Sequence, residues 1–156
     1  MSKVAAKPPA NDLYEGDFYA WTQEQARLLR ERRWNDLDLD NLVDEVESVG
    51  RSDKRQIESR LEILLAHLLK WKFQPGGRGS SWVRTIFEQR SRLIGLVEES
   101  PSLREFQRQE VFNSYAAARL LAAKETGIAL GVFPNECPFT PEQVLDLEYF
   151  PENSEA

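Results

Sequence analysis

The sequence is short of the residues that most often mark a binding or catalytic site. Among 156 residues it has one cysteine, Cys137, and one histidine, His67. A single cysteine excludes an internal disulfide framework, and with one histidine it excludes a Cys/His zinc site. No apolar run approaches the ~18 residues of a membrane span, and the first residues lack the apolar stretch of a secretory signal. These absences predict a cytoplasmic protein of one domain, without a membrane segment or a cofactor.

Strand-like alternation of apolar and polar residues is also absent, and so is any Asn-Gly hairpin turn. Helical spacing is present instead, as in Ile57, Leu61, Leu64, Leu68 and Trp71. The sequence therefore predicts an all-α fold, a single-domain bundle of four to five helices with a short C-terminal helix. We expect a flexible lead-in at residues 1–11, the bundle at 12–150 and an acidic tail at 151–156.

Capping residues set the expected limits of these helices. Asp17 is a predicted N-cap, Gly50 and Gly127 are predicted C-caps, and the residue before Pro75 should leave the helical conformation. The predicted helices run from about 18 to 34, from 38 or 40 to 49, from 52 to 74, from 82 to 100, from 101 to 126 and from 141 to 147.

Charge is unevenly distributed along the chain. Residues 1–50 hold six Lys/Arg and eleven Asp/Glu, residues 51–92 hold ten and four, and residues 93–156 hold four and eleven. Oppositely charged helices packed side by side would account for this pattern, and a positive face for an anionic partner is the alternative. The overall charge of −6 disfavours non-specific binding of nucleic acid, which needs a clustered positive field.

Polar residues interrupt the apolar faces of two predicted helices. Arg90 lies in the middle of the apolar arc of its helix, and Gln89 lies at the edge of that arc. A guanidinium that faces a core must meet a carboxylate or several carbonyls, or extend its head to water. An anion-binding site that uses Gln89 and Arg90 is the alternative. Glu45, beside Leu42 and Val49, is the acidic residue that we expect to pair with Arg90.

His67 is the one side chain expected to titrate near neutral pH without perturbation. A half-buried histidine bonded to a neighbouring helix is the favoured interpretation. A general base is an alternative, and so is a metal ligand together with Glu45 or Glu88. Helical di-metal centres usually show Glu-x-x-His, and here Leu64 precedes His67 by three residues, so the metal signal is weak.

Residues 70–84 interleave basic and aromatic side chains around a glycine-rich turn. Such a segment can bind single-stranded nucleic acid or an anion, with Trp71, Arg78, Trp82 and Arg84 as the binding residues. No Walker sequence is present. The favoured interpretation is that Trp71 and Trp82 anchor an interhelical turn in the core.

Several strings taken together resemble an uncharacterised, mainly bacterial family, domain of unknown function family 29. They lie at residues 17–21, 37–50, 67–71, 74–75, 81–82, 85–86, 89–90, 133–134 and 137–138. The resemblance spans about residues 12–150 and implies an all-helical fold, but no activity. Where the family carries two adjacent glutamates, this chain has Asp44 and Glu45. The same strings include Glu45, His67, Gln89 and Arg90, which could form a buried polar network or a polar pocket.

We expect a non-catalytic helical module that binds another protein through an acidic or aromatic surface. One alternative is a metal-dependent or acid/base enzyme that uses His67 with Glu45 and Arg90. A further alternative is binding of single-stranded nucleic acid or an anion through residues 70–84. The sequence leaves the oligomeric state open.

Overall fold

A computed structural model of the chain describes residues 10–152, with the side chains of residues 13–152. These residues form seven α-helices joined by turns and 3-10 segments, and no strand occurs among them. The prediction of an all-α fold with a short C-terminal helix is confirmed. The helices are α1 (Ala10–Gly16), α2 (Phe18–Arg30), α3 (Leu39–Phe73), α4 (Ser80–Glu99), α5 (Arg104–Asn113), α6 (Tyr115–Thr126) and α7 (Pro141–Leu145).

The described residues form two compact units, divided in the sequence between Arg51 and Ser52. The N-terminal unit (residues 10–51) holds α1, α2 and the beginning of α3. The C-terminal unit (residues 52–152) holds the rest of α3 and all later helices. The assignment of residues 12–150 to a single domain stays a prediction.

Helix α2 begins as predicted and ends earlier than predicted. The Asp17 carboxylate accepts a hydrogen bond from the Ala20 backbone N–H at 3.0 Å, which is the geometry of an N-cap. The helix stops at Arg30 rather than near residue 34, because Arg32 takes the left-handed conformation (φ 56°). The Arg33 backbone N–H then reaches the Leu28 carbonyl at 3.0 Å, which closes the helix with a Schellman motif.

Helix α3 continues through the position where a break was predicted. Gly50 lies within the helix instead of capping it, and Ser52 does not start a new one. A glycine in a helix interior costs about 1 kcal/mol but does not remove a hydrogen bond as proline would. The predicted end before Pro75 is confirmed, since α3 stops at Phe73.

The later helices follow the predicted turns with shifted limits. Helix α4 begins at Ser80, two residues before its predicted start, and Gly79 is its N-cap. Pro101 opens a 3-10 turn rather than one long helix, and Ser114 divides the following stretch into α5 and α6. Gly127 is the predicted left-handed C-cap, with φ 72°. A capping box formed by Thr140 and Gln143 begins α7.

The core of the C-terminal unit is built on α3. The predicted stripe Ile57, Leu61, Leu64 and Leu68 is fully buried. Trp71, which ends this stripe, is partly buried and packs against the same core. Side chains from α4, α5, α6, α7 and the loop after α6 complete the cluster, so α3 is the central helix of this unit.

The predicted lead-in at residues 1–11 lies outside the described residues except for the start of α1, which begins at Ala10. Residues 153–156 of the predicted acidic tail also lie outside them. Within residues 10–152, no helix is both long enough and apolar enough to cross a membrane.

Candidate functional site

Arg90 is buried completely, as its place on the apolar arc of α4 predicts. Its Nε donates to the Val144 carbonyl at 2.8 Å, and its Nη2 donates to the Gln143 carbonyl at 3.2 Å. Both carbonyls belong to the last turn of α7, and the Gln143 carbonyl also accepts a weak hydrogen bond from the Asp146 backbone N–H at 3.4 Å. The guanidinium also lies 5.7 Å from the centroid of the Phe150 ring. Arg90 therefore fastens α7 and the chain after it to α4.

Burial lowers the pKa of Arg90, and the Asp146 charge opposes that shift. A guanidinium keeps its proton in a protein, so the group stays cationic inside the core. Its Nη1 atom has no hydrogen-bond partner in the part of the chain that the structure describes. The charge is thus solvated by two carbonyls and a ring face rather than by a carboxylate.

Glu45 and Arg90 do not form the predicted pair, because each residue has other partners. Glu45 accepts a hydrogen bond from the Tyr14 hydroxyl at 2.6 Å. This bond, together with burial and nearby acidic charge, raises the pKa of Tyr14 to about 12. Glu45 consequently joins α1 to α3 within the N-terminal unit. Arg90 instead donates hydrogen bonds to two carbonyls. Carbonyl acceptors are one of the alternatives that the sequence left open for a buried guanidinium.

Gln89 contacts α3 rather than Arg90. Its Oε1 accepts a hydrogen bond from Arg60 Nη1 at 3.1 Å. Gln89 therefore helps to hold α4 against α3 in the C-terminal unit.

His67 bonds to its own helix, where the sequence suggested a neighbouring one. Its Nδ1 donates to the Ile63 carbonyl at 2.8 Å, which assigns the proton to Nδ1. Burial lowers the pKa of His67, the Ile63 hydrogen bond raises it, Lys70 lowers it and Glu125 raises it. Lys70 and Glu125 themselves form an ion pair at 2.8 Å. The lowered pKa favours a neutral ring near pH 7.

The rings of Trp71 and Trp82 contact other side chains of the protein. Trp71 packs against Phe150 at 4.7 Å between ring centroids, and the Arg78 guanidinium lies 5.0 Å from the Trp71 ring. The Lys70 ammonium lies 4.8 Å from the Trp82 ring. Arg78 also donates to the Trp71 carbonyl at 2.7 Å. Trp71 packs against the core of the C-terminal unit, whereas Trp82 is half-buried and contacts Lys70. The anchoring role of the two tryptophans stays a prediction. Arg84 is exposed on α4.

The described residues provide no ligand set for the metal ion that one alternative requires. No three His, Cys, Asp or Glu side chains within the described ranges come together in a way that could hold a metal ion. Glu88 is exposed on α4, and His67 and Glu45 are bonded as described above.

An apolar groove in the N-terminal unit is the feature that sequence reasoning missed. It has a volume of about 430 Å³ and is lined by Leu29, Leu37, Leu39, Leu42, Val43, Val46 and Glu47. The helical spacing of Leu39, Leu42, Val43, Val46 and Val49 makes the α3 part of this surface an amphipathic face, which other helices would ordinarily cover. The structure leaves Leu39 63%, Val46 70% and Val49 69% exposed.

The groove has two walls of different origin. One wall is the α3 face, in which Leu39, Leu42, Val46 and Val49 follow the 3-4-3 spacing of a coiled-coil seam. The other wall is Leu29 at the end of α2 and Leu37 before α3. The Schellman motif at Arg32 turns the chain between these walls. The spacing of the seam was the signal in the sequence that could have indicated an intermolecular helix contact.

Below this groove, the N-terminal unit is held by a polar network around Asp38. The Trp21 indole donates to the Asp38 carboxylate at 2.9 Å, and Asn41 donates to the same oxygen at 2.8 Å. The Asp38 backbone N–H donates to Gln25 Oε1 at 2.8 Å. This network fixes the start of α3 against α2.

Comparison with known proteins identifies a family. No curated protein and no solved structure matches the chain. A family model described as domain of unknown function DUF29 matches residues 13–150, and the chain therefore belongs to this family.

Proposed function

We propose that the protein is an interaction module whose apolar groove binds an amphipathic helix with basic flanks from a partner protein. The observation that carries this proposal is the seam Leu39, Leu42, Val46 and Val49 beside Leu29, in which Leu42 is half-buried and the other three seam residues are exposed. Scattered exposed apolar residues are ordinary, but a contiguous apolar patch on a folded surface is typical of an interaction site.

The shape of the groove fits a helix. The seam spans eleven residues of α3, and its first and last residues are about 15 Å apart along the helix axis. A partner helix of about three turns would cover it, with side chains spaced i, i+3, i+4 and i+7 entering the groove. Burying one valine of this kind contributes about 1.5 kcal/mol or more.

Charge favours a basic partner over a second copy of the chain. Residues 10–51 carry five Lys/Arg and eleven Asp/Glu. Asp40 and Asp44 lie on the exposed side of α3 near the groove, without a side-chain partner among the described residues. Pairing this face with itself would bring acidic helices together, which costs binding energy. A helix with lysines and arginines beside its apolar stripe would complement both features.

The test uses two synthetic peptides with the same leucine pattern of an amphipathic helix, one with lysine and one with glutamate at the polar positions. Binding of each peptide to the full chain is measured by fluorescence anisotropy. We expect saturable binding of the lysine peptide and none of the glutamate peptide. Val46→Glu should weaken the lysine peptide at least tenfold, because a charge replaces an apolar contact.

The substitution separates groove binding from simple charge attraction. Val46→Glu adds negative charge, so a peptide held only by electrostatics would bind the variant more tightly. Leu120→Glu on α6, a similarly exposed residue that is not among those lining the groove, is the matched control and should leave the affinity unchanged. Equal binding of wild type and Val46→Glu would overturn the proposal. A wild-type dimer that Val46→Glu dissociates would make a second copy the occupant instead.

A further inference from the structure

We propose that a groove between α3 and α4 binds a small zwitterion whose ammonium and carboxylate groups are several ångströms apart. The groove lies in the C-terminal unit and has a volume of about 390 Å³. This is within the ~300–1,000 Å³ typical of small-molecule sites. The residues that carry the argument are Asp53 and Arg60 of α3 and Arg92, Gly95 and Glu99 of α4, all of which line it. This inference is independent of the helix-docking groove, which belongs to the N-terminal unit.

The charges in this groove are separated by sign. Lys70 contacts Trp82, and Arg60 contacts Gln89, so α3 and α4 run antiparallel. Arg92, three residues beyond Gln89, therefore lies at the same end of the groove as Arg60. Asp53 and Glu99 lie at the other end. Seven residues separate Asp53 from Arg60, which corresponds to about 10 Å along a helix. The groove is consequently positive at one end and negative at the other.

These charges do not neutralise one another in the part of the chain that the structure describes. No ion pair there joins Asp53, Arg60, Arg92 or Glu99 to any other residue. Arg60 donates one hydrogen bond to the neutral Gln89 amide and keeps its other N–H groups for a ligand. The two arginines can bind a carboxylate, and the two acidic side chains can accept hydrogen bonds from an ammonium group.

Gly95 is the second observation that points to a ligand. It lies in the interior of α4, where glycine is less favourable than alanine. No atom lies within 4 Å of the position that its Cβ would occupy, so packing does not require glycine here. Any larger side chain at this position would extend into the groove. The glycine therefore leaves room between the positive and the negative end.

The ligand class follows from the separation of the two ends. An α-amino acid is too short to engage both ends at once, whereas a short unblocked peptide or an ω-amino acid has its charges far enough apart. Titration calorimetry of the full chain with Ala-Ala-Ala and with 6-aminohexanoate distinguishes these two sources. Saturable binding of either probe supports the proposal and identifies the source. Absence of binding by both probes would overturn it.

Blocked probes and three variants test the assigned contacts. N-acetylation or C-amidation of the peptide should abolish its binding, because each removes one charge. Arg92→Ala and Gly95→Leu should each weaken binding about tenfold or more, with unchanged circular dichroism and melting temperature. Arg84→Ala, an exposed arginine of the same helix outside the groove, should bind as the wild type does. Equal binding of the blocked peptide, or wild-type affinity in both Arg92→Ala and Gly95→Leu, would overturn the assignment.

Discussion

Arg90 and Val144, 54 residues apart in the sequence, are joined by a buried hydrogen bond of 2.8 Å from the guanidinium Nε to the carbonyl oxygen. The bond satisfies an acceptor at the end of α7 and places a cation near the negative end of that helix. Together with the burial of Pro141 and Val144, it holds this five-residue helix in a fixed position. The polar residue within the core thus fixes the C-terminal segment instead of forming a catalytic group.

Replacing Arg90 with methionine tests this role. Arg90→Met keeps an unbranched apolar side chain but removes the donor to the Val144 carbonyl, whereas the Gln143 carbonyl keeps the Asp146 backbone N–H. We expect a loss of about 2 kcal/mol in the free energy of unfolding, since each unsatisfied buried acceptor costs about 1–3 kcal/mol and removal of the guanidinium desolvation offsets part of it. Urea unfolding measures the change. Arg84→Met on the same helix should stay within about 0.5 kcal/mol of the wild type, and equal stability of the two variants would contradict the role.

Gly77 permits the close approach of Trp82 in the turn between α3 and α4. A Cβ at Gly77 would lie 2.5 Å from an atom of the Trp82 ring, whereas one at Gly76 would meet nothing within 4 Å. Gly77→Ala should therefore lower the free energy of unfolding by about 1–3 kcal/mol, the usual range for overpacking. Gly76→Ala is the matched control and should be neutral or slightly stabilising. Similar melting temperatures for the two variants would show that the ring does not pack there.

Arg32 carries a backbone conformation that suits glycine. A side chain in the left-handed region costs roughly 1–2 kcal/mol, and the greater freedom of glycine in the unfolded chain offsets part of that cost. Arg32→Gly should raise the free energy of unfolding by about 0.5–1 kcal/mol. Arg30→Gly, two residues earlier in the helical conformation, should lower it. Thermal or urea unfolding measures the change in the free energy of unfolding for each variant, and we expect the two changes to have opposite signs. A common sign would count against the Schellman motif at Arg32.

The lowered pKa of His67 predicts a specific loss of stability in mild acid. Its ordinary value is 6.5, and burial shifts the folded value below it. The unfolded chain therefore takes up the proton first as the pH falls through about 6.5. The contribution of the neutral ring to stability is complete above that pH and is lost progressively down to the folded pKa.

His67→Asn isolates this effect because it removes the titration and keeps a donor near the Ile63 carbonyl. The difference in unfolding free energy between wild type and variant should be constant above about pH 7.5. As the pH falls from 7 to 5, the wild type should lose stability relative to the variant. The carboxylates common to both proteins cancel in this difference. A difference independent of pH would indicate that His67 is not buried as described.

The sequence predicted the helices and the burial of Arg90 better than it predicted what these elements contact. Periodicity along α4 requires that Arg90 face a core, because Ile86, Leu93 and Val97 define that side. Its partners are backbone carbonyls, which have no signature in the sequence and lie more than fifty residues away. The choice of Glu45 rested on charge complementarity between residues that share no local geometry.

The α3 surface from Leu39 to Val49 could also be predicted only in part. Periodicity identifies which side of a helix is apolar, but it contains no information about what covers that side. The predicted break at Gly50 also made these residues a short separate helix rather than the beginning of α3. Helix α2 ends early because Arg32 takes the left-handed conformation. Residues other than glycine rarely take this conformation, so the sequence does not indicate the end of the helix here.

The most direct test of helix docking is hydrogen–deuterium exchange of the full chain with and without the lysine peptide. If the apolar groove binds the peptide, slower exchange should be confined to residues 28–30 and 37–50, where bound helix would exclude water. Residues 104–126 should exchange at the same rate in both samples. Protection that is absent from residues 37–50, or that occurs only in the C-terminal unit, would contradict the assignment of the groove as the binding surface.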